Sequence, residues 1–86
     1  MKQVVRILKA LANERRLLIL RIVQFEECSV IDIADKLRIS VPAATRHLQV
    51  LDRARCLKRS KEGQYVLSSL LNPMNRITKL VLKIII

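Results

Sequence analysis

The most constraining stretch of this chain is Ser40-Val41-Pro42-Ala43-Ala44-Thr45-Arg46-His47-Leu48-Gln49-Val50-Leu51. Its spacing predicts a helix with one apolar face and one small, hydrogen-bonding face. Ser40 is placed to cap it, because a serine hydroxyl accepts from a free backbone N–H of the first turn. Pro42 fits that first turn, where a missing N–H costs nothing, and Ala44, Leu48 and Leu51 recur at helical spacing as an inward stripe. The other face carries Pro42, Thr45, Arg46 and Gln49. Side chains that are short, or that both donate and accept, are what a helix lying against base edges in a major groove requires. An ordinary surface helix reads the same over so short a stretch, so the rest of the chain has to decide.

Charge narrows the choice. Seventeen Lys and Arg against seven Asp and Glu give a net charge of +10 over 86 residues, the balance of a single small domain that meets phosphate or an anionic membrane. From Arg46 to Lys61 there are six basic residues and one acid, Asp52, whereas Glu26, Glu27, Asp32 and Asp35 hold four of the seven acids. The positive excess therefore lies on and just after the Ser40 helix, where a phosphate backbone would flank it. Phe25 and Tyr65 are the only aromatic residues, too few for stacking on splayed single-stranded bases, so a duplex is the expected partner. No apolar run reaches the ~20 residues of a membrane span. With two cysteines and no leader pattern, the expected setting is the cytoplasm, with free thiols.

In chain order, Val4, Ile7, Leu8 and Leu11 form the apolar face of a first helix, with Lys2, Arg6 and Lys9 toward water. Asn13 is a plausible cap for a second helix, apolar nearly all round through Leu17, Leu18, Ile19, Leu20, Ile22 and Val23. Phe25 to Cys28 read as a connection. Ser29 followed by Asp32 is a capping-box pattern that opens a third helix, with Val30, Ile33, Ala34 and Leu37 inward. Arg38-Ile39 turns into the Ser40 helix. The period then changes: Leu57 to Ser60 and Gln64 to Ser68 read as strands around a Lys61-Glu62-Gly63 turn, with the chain's one glycine where a positive φ is needed. Asn72-Pro73 punctuates the chain before a last helix carrying Met74, Ile77, Leu80, Val81 and Ile84.

The helices near 2–11 and 73–84 offer more apolar surface than so small a core covers. They are expected to form the interface of a symmetric homodimer. The competing readings are that they complete the monomer's own core, or that the terminal isoleucines pair as a strand.

The order helix, helix, helix, helix, strand, strand, helix is mainly α with a small β-hairpin wing, and it resembles the ArsR-type winged helix-turn-helix regulators. The resemblance is carried by Leu11-Ala12-Asn13 with Arg16-Leu17 and Ile19-Leu20, Asp32-Ile33-Ala34 with Leu37, Ser40 with Thr45-Arg46-His47-Leu48 and Leu51, Gly63, and Leu70 with Asn72-Pro73. It covers almost the whole chain. It implies a homodimeric, sequence-specific regulator that binds double-stranded DNA, in most such proteins a repressor released by an inducer. Carried over by position, Val41, Pro42, Thr45, Arg46, His47 and Gln49 would face the DNA, while Lys58, Arg59 and Lys61 would hold phosphates.

The chain also departs from the family pattern. Where the best-known sensor motif reads Cys-Val-Cys-Asp, this chain has Ser29-Val30-Ile31-Asp32, and residues 73–86 contain no His or carboxylate for a second site. With one histidine and two separated cysteines, a closed metal site is not expected, nor is another cofactor. Cys28 and Cys56 are candidates for a redox-responsive thiol or, more plainly, small apolar fillers. Arg55 stands where the family prefers glycine to end the recognition helix. No motif pairs a nucleophile with a base, so no enzyme is expected. The rival function is a winged-helix module that binds protein or coats nucleic acid without site preference.

Overall fold

Apart from the first, the helices start where the sequence offers a side-chain acceptor. Asn13 accepts from Arg16 N–H at 3.1 Å and opens α1's successor, α2 (Glu14–Val23), behind α1 (Lys2–Leu11). Ser29 accepts from Asp32 N–H and opens α3 (Val30–Leu37), and Ser40 accepts from Ala43 N–H and opens α4 (Val41–Arg53), both at 3.1 Å. Two strands follow, β2 (Lys58–Glu62) and β3 (Tyr65–Ser69), and then α5 (Arg76–Ile85). The computed structural model describes residues 1–71 and 74–85. The expected punctuation at Asn72-Pro73 and the terminal Ile86 lie outside the described residues.

The fold is a winged helix-turn-helix. Ile7, Leu11, Ile19, Leu20, Ile33, Leu48, Leu51 and Leu57 form one core shared by α1 to α4 and the entry to the wing. The Cα radius of gyration, 12.0 Å, is that of a packed domain of this length (about 12 Å), so α1 and α5 pack onto that core. Arg16 fastens α1: its Nε donates to Ala10 O at 2.7 Å and its Nη2 to Lys9 O at 3.3 Å. Those carbonyls belong to the helix's unsatisfied C-terminal end, where a cation is favoured.

Both helices of the helix-turn-helix end on an arginine in the left-handed region, Arg38 at φ 56 and Arg55 at φ 59. After α3, Arg38 N–H donates to Asp35 O and Ile39 N–H to Ala34 O. After α4, Arg55 N–H donates to Asp52 O at 3.0 Å and Cys56 N–H to Leu51 O at 2.9 Å. This is the Schellman closure normally built on glycine. Arg55 thus takes up the conformation that the family's glycine would supply, and the left-handed backbone costs an L-residue about 1–2 kcal/mol. Glycine avoids that strain but loses more freedom on folding, by ~0.5–1 kcal/mol. Arg55→Gly is therefore expected to raise the unfolding free energy by about 0.5–1 kcal/mol, read as a higher urea midpoint with an unchanged slope.

The wing differs from the expected hairpin in two ways. The turn is displaced along the chain: the first strand runs on through Lys61 and Glu62, Gln64 leaves the second strand for the turn, and Glu62 pairs with Tyr65 around Gly63-Gln64, with Gly63 at φ 61. Glycine at the first central position is the requirement of a II′ turn, whose twist matches the flanking strands. In addition, Cys28–Ser29, read from the sequence as connection and cap, forms a two-residue strand β1 that pairs Cys28 with Ser68 and Ser29 with Leu67. The sheet order is β1-β3-β2, so β3 is covered on both edges.

The terminal helices turn differently from the simplest reading of their stripes. In α1, Ile7, Ala10 and Leu11 are buried, while Val4, Val5 and Leu8 are exposed. In α5, Thr78 and Leu82 are buried, while Leu80 and Ile84 are exposed, at 61% and 79%. Each helix has more apolar circumference than the core can reach, and the surplus faces outward.

Candidate nucleic-acid interface

Helix α4 is held from behind and open in front. Ala44, Leu48 and Leu51 are buried, whereas Val41, Pro42 and Arg46 are exposed and Thr45, His47 and Gln49 are half-buried. Pro42, Arg46, Gln49 and the exposed Arg53 follow one another at spacings of four, three and four, which places them in one stripe along the helix. The structure thus brings Pro42, Arg46 and Gln49 of the expected residues into one stripe and adds Arg53, which its spacing would have found. No acid stands in the first turn of α4, leaving its positive dipole end free to favour a phosphate.

His47 lies off the stripe, about 100° round the helix from Arg46, and near enough to Arg16 and Arg15 of α2 to feel their charge. Burial, then the charges of Arg16, Arg15 and Arg46, push its pKa below 6.5. In the unfolded chain the imidazole titrates near its ordinary value, so below about pH 6.5 the unfolded state binds the proton that the native state resists. Stability is therefore expected to be fully present above that pH and to fall as the pH drops through it. His47→Gln should flatten this part of a pH series of urea unfolding curves.

The wing is tied to α4 by Arg59, whose Nε lies 3.3 Å from Asp52 Oδ2. Lys58 and Lys61 are exposed. Alternation along the strand puts Arg59 and Lys61 on one face of the wing and Lys58 on the other, with Ser60 and Glu62. The three cations therefore do not act as one cluster.

Both cysteines are free and buried. Burial pushes the Cys28 thiol above its ordinary pKa, with Lys36 pulling it back and Glu26 and Asp32 adding to the rise. Burial does the same at Cys56, partly offset by the Thr78 and Asn75 side chains. Neutral thiols inside a packed domain are poor nucleophiles. Among the described residues no group of three or more His, Cys, Asp or Glu is gathered so as to hold a metal ion.

Residues 13–58, from the cap of α2 through the start of the wing, match the family described as "Bacterial regulatory protein, arsR family". The chain belongs to the ArsR family. Over 66 residues, 73% of this chain, it is 42% identical to the transcriptional activator HlyU of Vibrio cholerae serotype O1, and the match spans 61% of that relative's length. Two solved structures share the family's architecture over 96% of this chain. The structure of HlyU from Vibrio cholerae superposes with a TM-score of 0.81 at 34% identity, covering 87% of that chain. The homodimeric winged helix-turn-helix DNA-binding domain of Mb0332 from Mycobacterium bovis superposes with a TM-score of 0.86 at 31% identity, covering 78% of that chain.

Proposed function

We propose that this ArsR-family protein is a cytoplasmic transcriptional regulator that binds a specific double-stranded DNA sequence as a homodimer. The observation that carries the reading is α4 itself: its apolar side is locked into the core, and its open side presents Pro42, Thr45, Arg46 and Gln49 beside a basic wing. Arg46 and Gln49 supply planar groups that each pair with two acceptor or donor positions on one base edge. Lys61 and the wing-bound Arg59 lie to one side for the backbone.

The homodimer is supported by the outward apolar flanks of α1 and α5, where Val4, Leu8, Leu80 and Ile84 are all exposed, and by the homodimeric state of the Mycobacterium bovis domain. Two copies related by a twofold axis would present two α4 helices to the half-sites of a palindrome. We assign repression as the direct outcome where such a site overlaps a promoter. The named activity of HlyU as an activator fits the same binding geometry with the site placed elsewhere. The regulator is read as working without a resident metal, and its DNA-contacting set as Val41, Pro42, Thr45, Arg46, Gln49 and Arg53 of α4 with Arg59 and Lys61 of the wing, His47 and Lys58 lying off these faces.

Selection of bound sequences from a random duplex pool tests this. A palindromic consensus is expected. Thr45→Ala with Arg46→Ala should then lower discrimination against a mismatched site by about 10- to 100-fold, since a good bidentate contact is worth about 1–3 kcal/mol. A pool with no enriched sequence, or a double variant with unchanged selectivity, would remove α4 from the role of reader.

A further inference from the structure

Behind, helix α4 packs on the core; its open face is bordered by the wing on one flank and by α1 on the other. Asp52 and Val50 stand two residues apart, which on a helix places them on nearly opposite sides, about 160° apart. Asp52 meets Arg59 of the wing. Val50 and Arg53 line a depression together with Arg6 of α1, and it runs beside a cleft of about 540 Å³ whose walls include Lys2, Arg6, Lys9 and Val50. The stripe Pro42, Arg46, Gln49 and Arg53 lies between these flanks, so it occupies a saddle with the wing on one side and α1 on the other.

The α1 side of the saddle is cationic without compensation. Lys2, Arg6 and Lys9 follow at spacings of four and three on one flank of the helix, and residues 1–13 contain no acid. No carboxylate lines either depression. Among the described residues the ion pairs are Lys36 with Glu26 and Arg59 with Asp52, so Lys2, Arg6, Lys9 and Arg53 have no acidic partner there. Their flank is rotated away from Val4 and Leu8, the apolar residues offered to a second subunit.

A helix seated in a major groove about 12 Å wide is bordered by two sugar-phosphate strands. The wing is placed to hold one. We infer that the basic flank of α1, through Lys2, Arg6 and Lys9 with Arg53 of α4, is a second phosphate-binding surface that holds the other. This rests on the DNA-binding reading proposed above and adds to it a contact surface outside both the reading helix and the wing.

The test compares wild type with Lys2→Gln/Arg6→Gln/Lys9→Gln on a mixed-sequence duplex of three turns (about 30 bp) and on the selected site, across a salt series. All three side chains are exposed, and circular dichroism checks that the variant folds. Each lost phosphate contact reduces the slope of log K against log salt by ~0.9, so the slope should shrink by about 2–3 per protomer on both duplexes. The ratio of specific to non-specific affinity should stay within about twofold, because these contacts read no bases. Lys36→Gln, which removes a charge from α3, should leave the slope unchanged. A triple variant with the wild-type slope overturns the inference, whether the residues then prove to serve subunit pairing or a small amphiphilic anion in the cleft, probed with dodecanoate. If wild type itself shows no salt-dependent duplex binding, it is the DNA-binding reading that fails.

Discussion

Raising the salt from 50 to 200 mM is expected to weaken binding of the dimer to duplex DNA by roughly 10³- to 10⁵-fold, if the dimer neutralises about six to ten phosphates. The estimate follows from where the charge sits. Much of the excess of Lys and Arg lies in the 46–61 segment and in α1, with α2 and α5 adding to it, and little of it is consumed internally, since only two ion pairs form among the described residues. A cation without an internal partner exchanges solvent counterions for phosphate when DNA arrives, and releasing the displaced ions makes the association steeply salt-dependent. Filter binding or fluorescence anisotropy across the salt range reads the effect directly. A flat response would contradict the electrostatic part of the mechanism whatever the sequence preference.

The second large effect concerns subunit pairing. Leu8→Glu together with Leu80→Glu puts a charge on each of the two outward apolar flanks, where the wild-type side chains are 51% and 61% exposed. The monomer fold should survive, because neither residue belongs to the core. Burying four carboxylates in a symmetric interface is costly, however, and the chain should sediment as a monomer. Affinity for a two-half-site palindrome should then fall by about 10²- to 10⁴-fold, the avidity lost when a second binding event ceases to be intramolecular, while binding to a single half-site changes little. A double variant that remains dimeric would move the interface away from these flanks.

The local features of the fold were legible before any coordinates. Asn13, Ser29 and Ser40 each cap the helix expected of them, because a cap is a contact between residues three apart and needs no tertiary information. The inner face of α4 was legible for the same reason. Strand β1 was not: Cys28 and Ser29 carry no alternation to read, and what makes them a strand is Ser68 and Leu67, some forty residues on. The outward turn of Leu8, Leu80 and Ile84 was equally hidden. A stripe shows that a helix has an apolar side, but only the packed neighbours decide which part of it is covered. At the site, Arg46 and Gln49 stand where their spacing put them, whereas Lys58, grouped with Arg59 and Lys61 by family position, falls on the other side of the strand's pleat. Arg53 was overlooked, although its interval from Gln49 repeats that between Pro42 and Arg46.

One side chain joins the two ends of this machinery. Asn75 accepts from Thr78 N–H at 2.8 Å with its oxygen, and its nitrogen donates to Arg55 O at 2.9 Å. A single amide thus rivets the root of the terminal rod to the hairpin's doorway, at the residue whose backbone is already bent the unfavourable way. If two copies clasp through that rod as proposed, swinging it to suit a differently posed partner would strip a bond from this joint, and the pitch of α4 would be tied mechanically to the clasp.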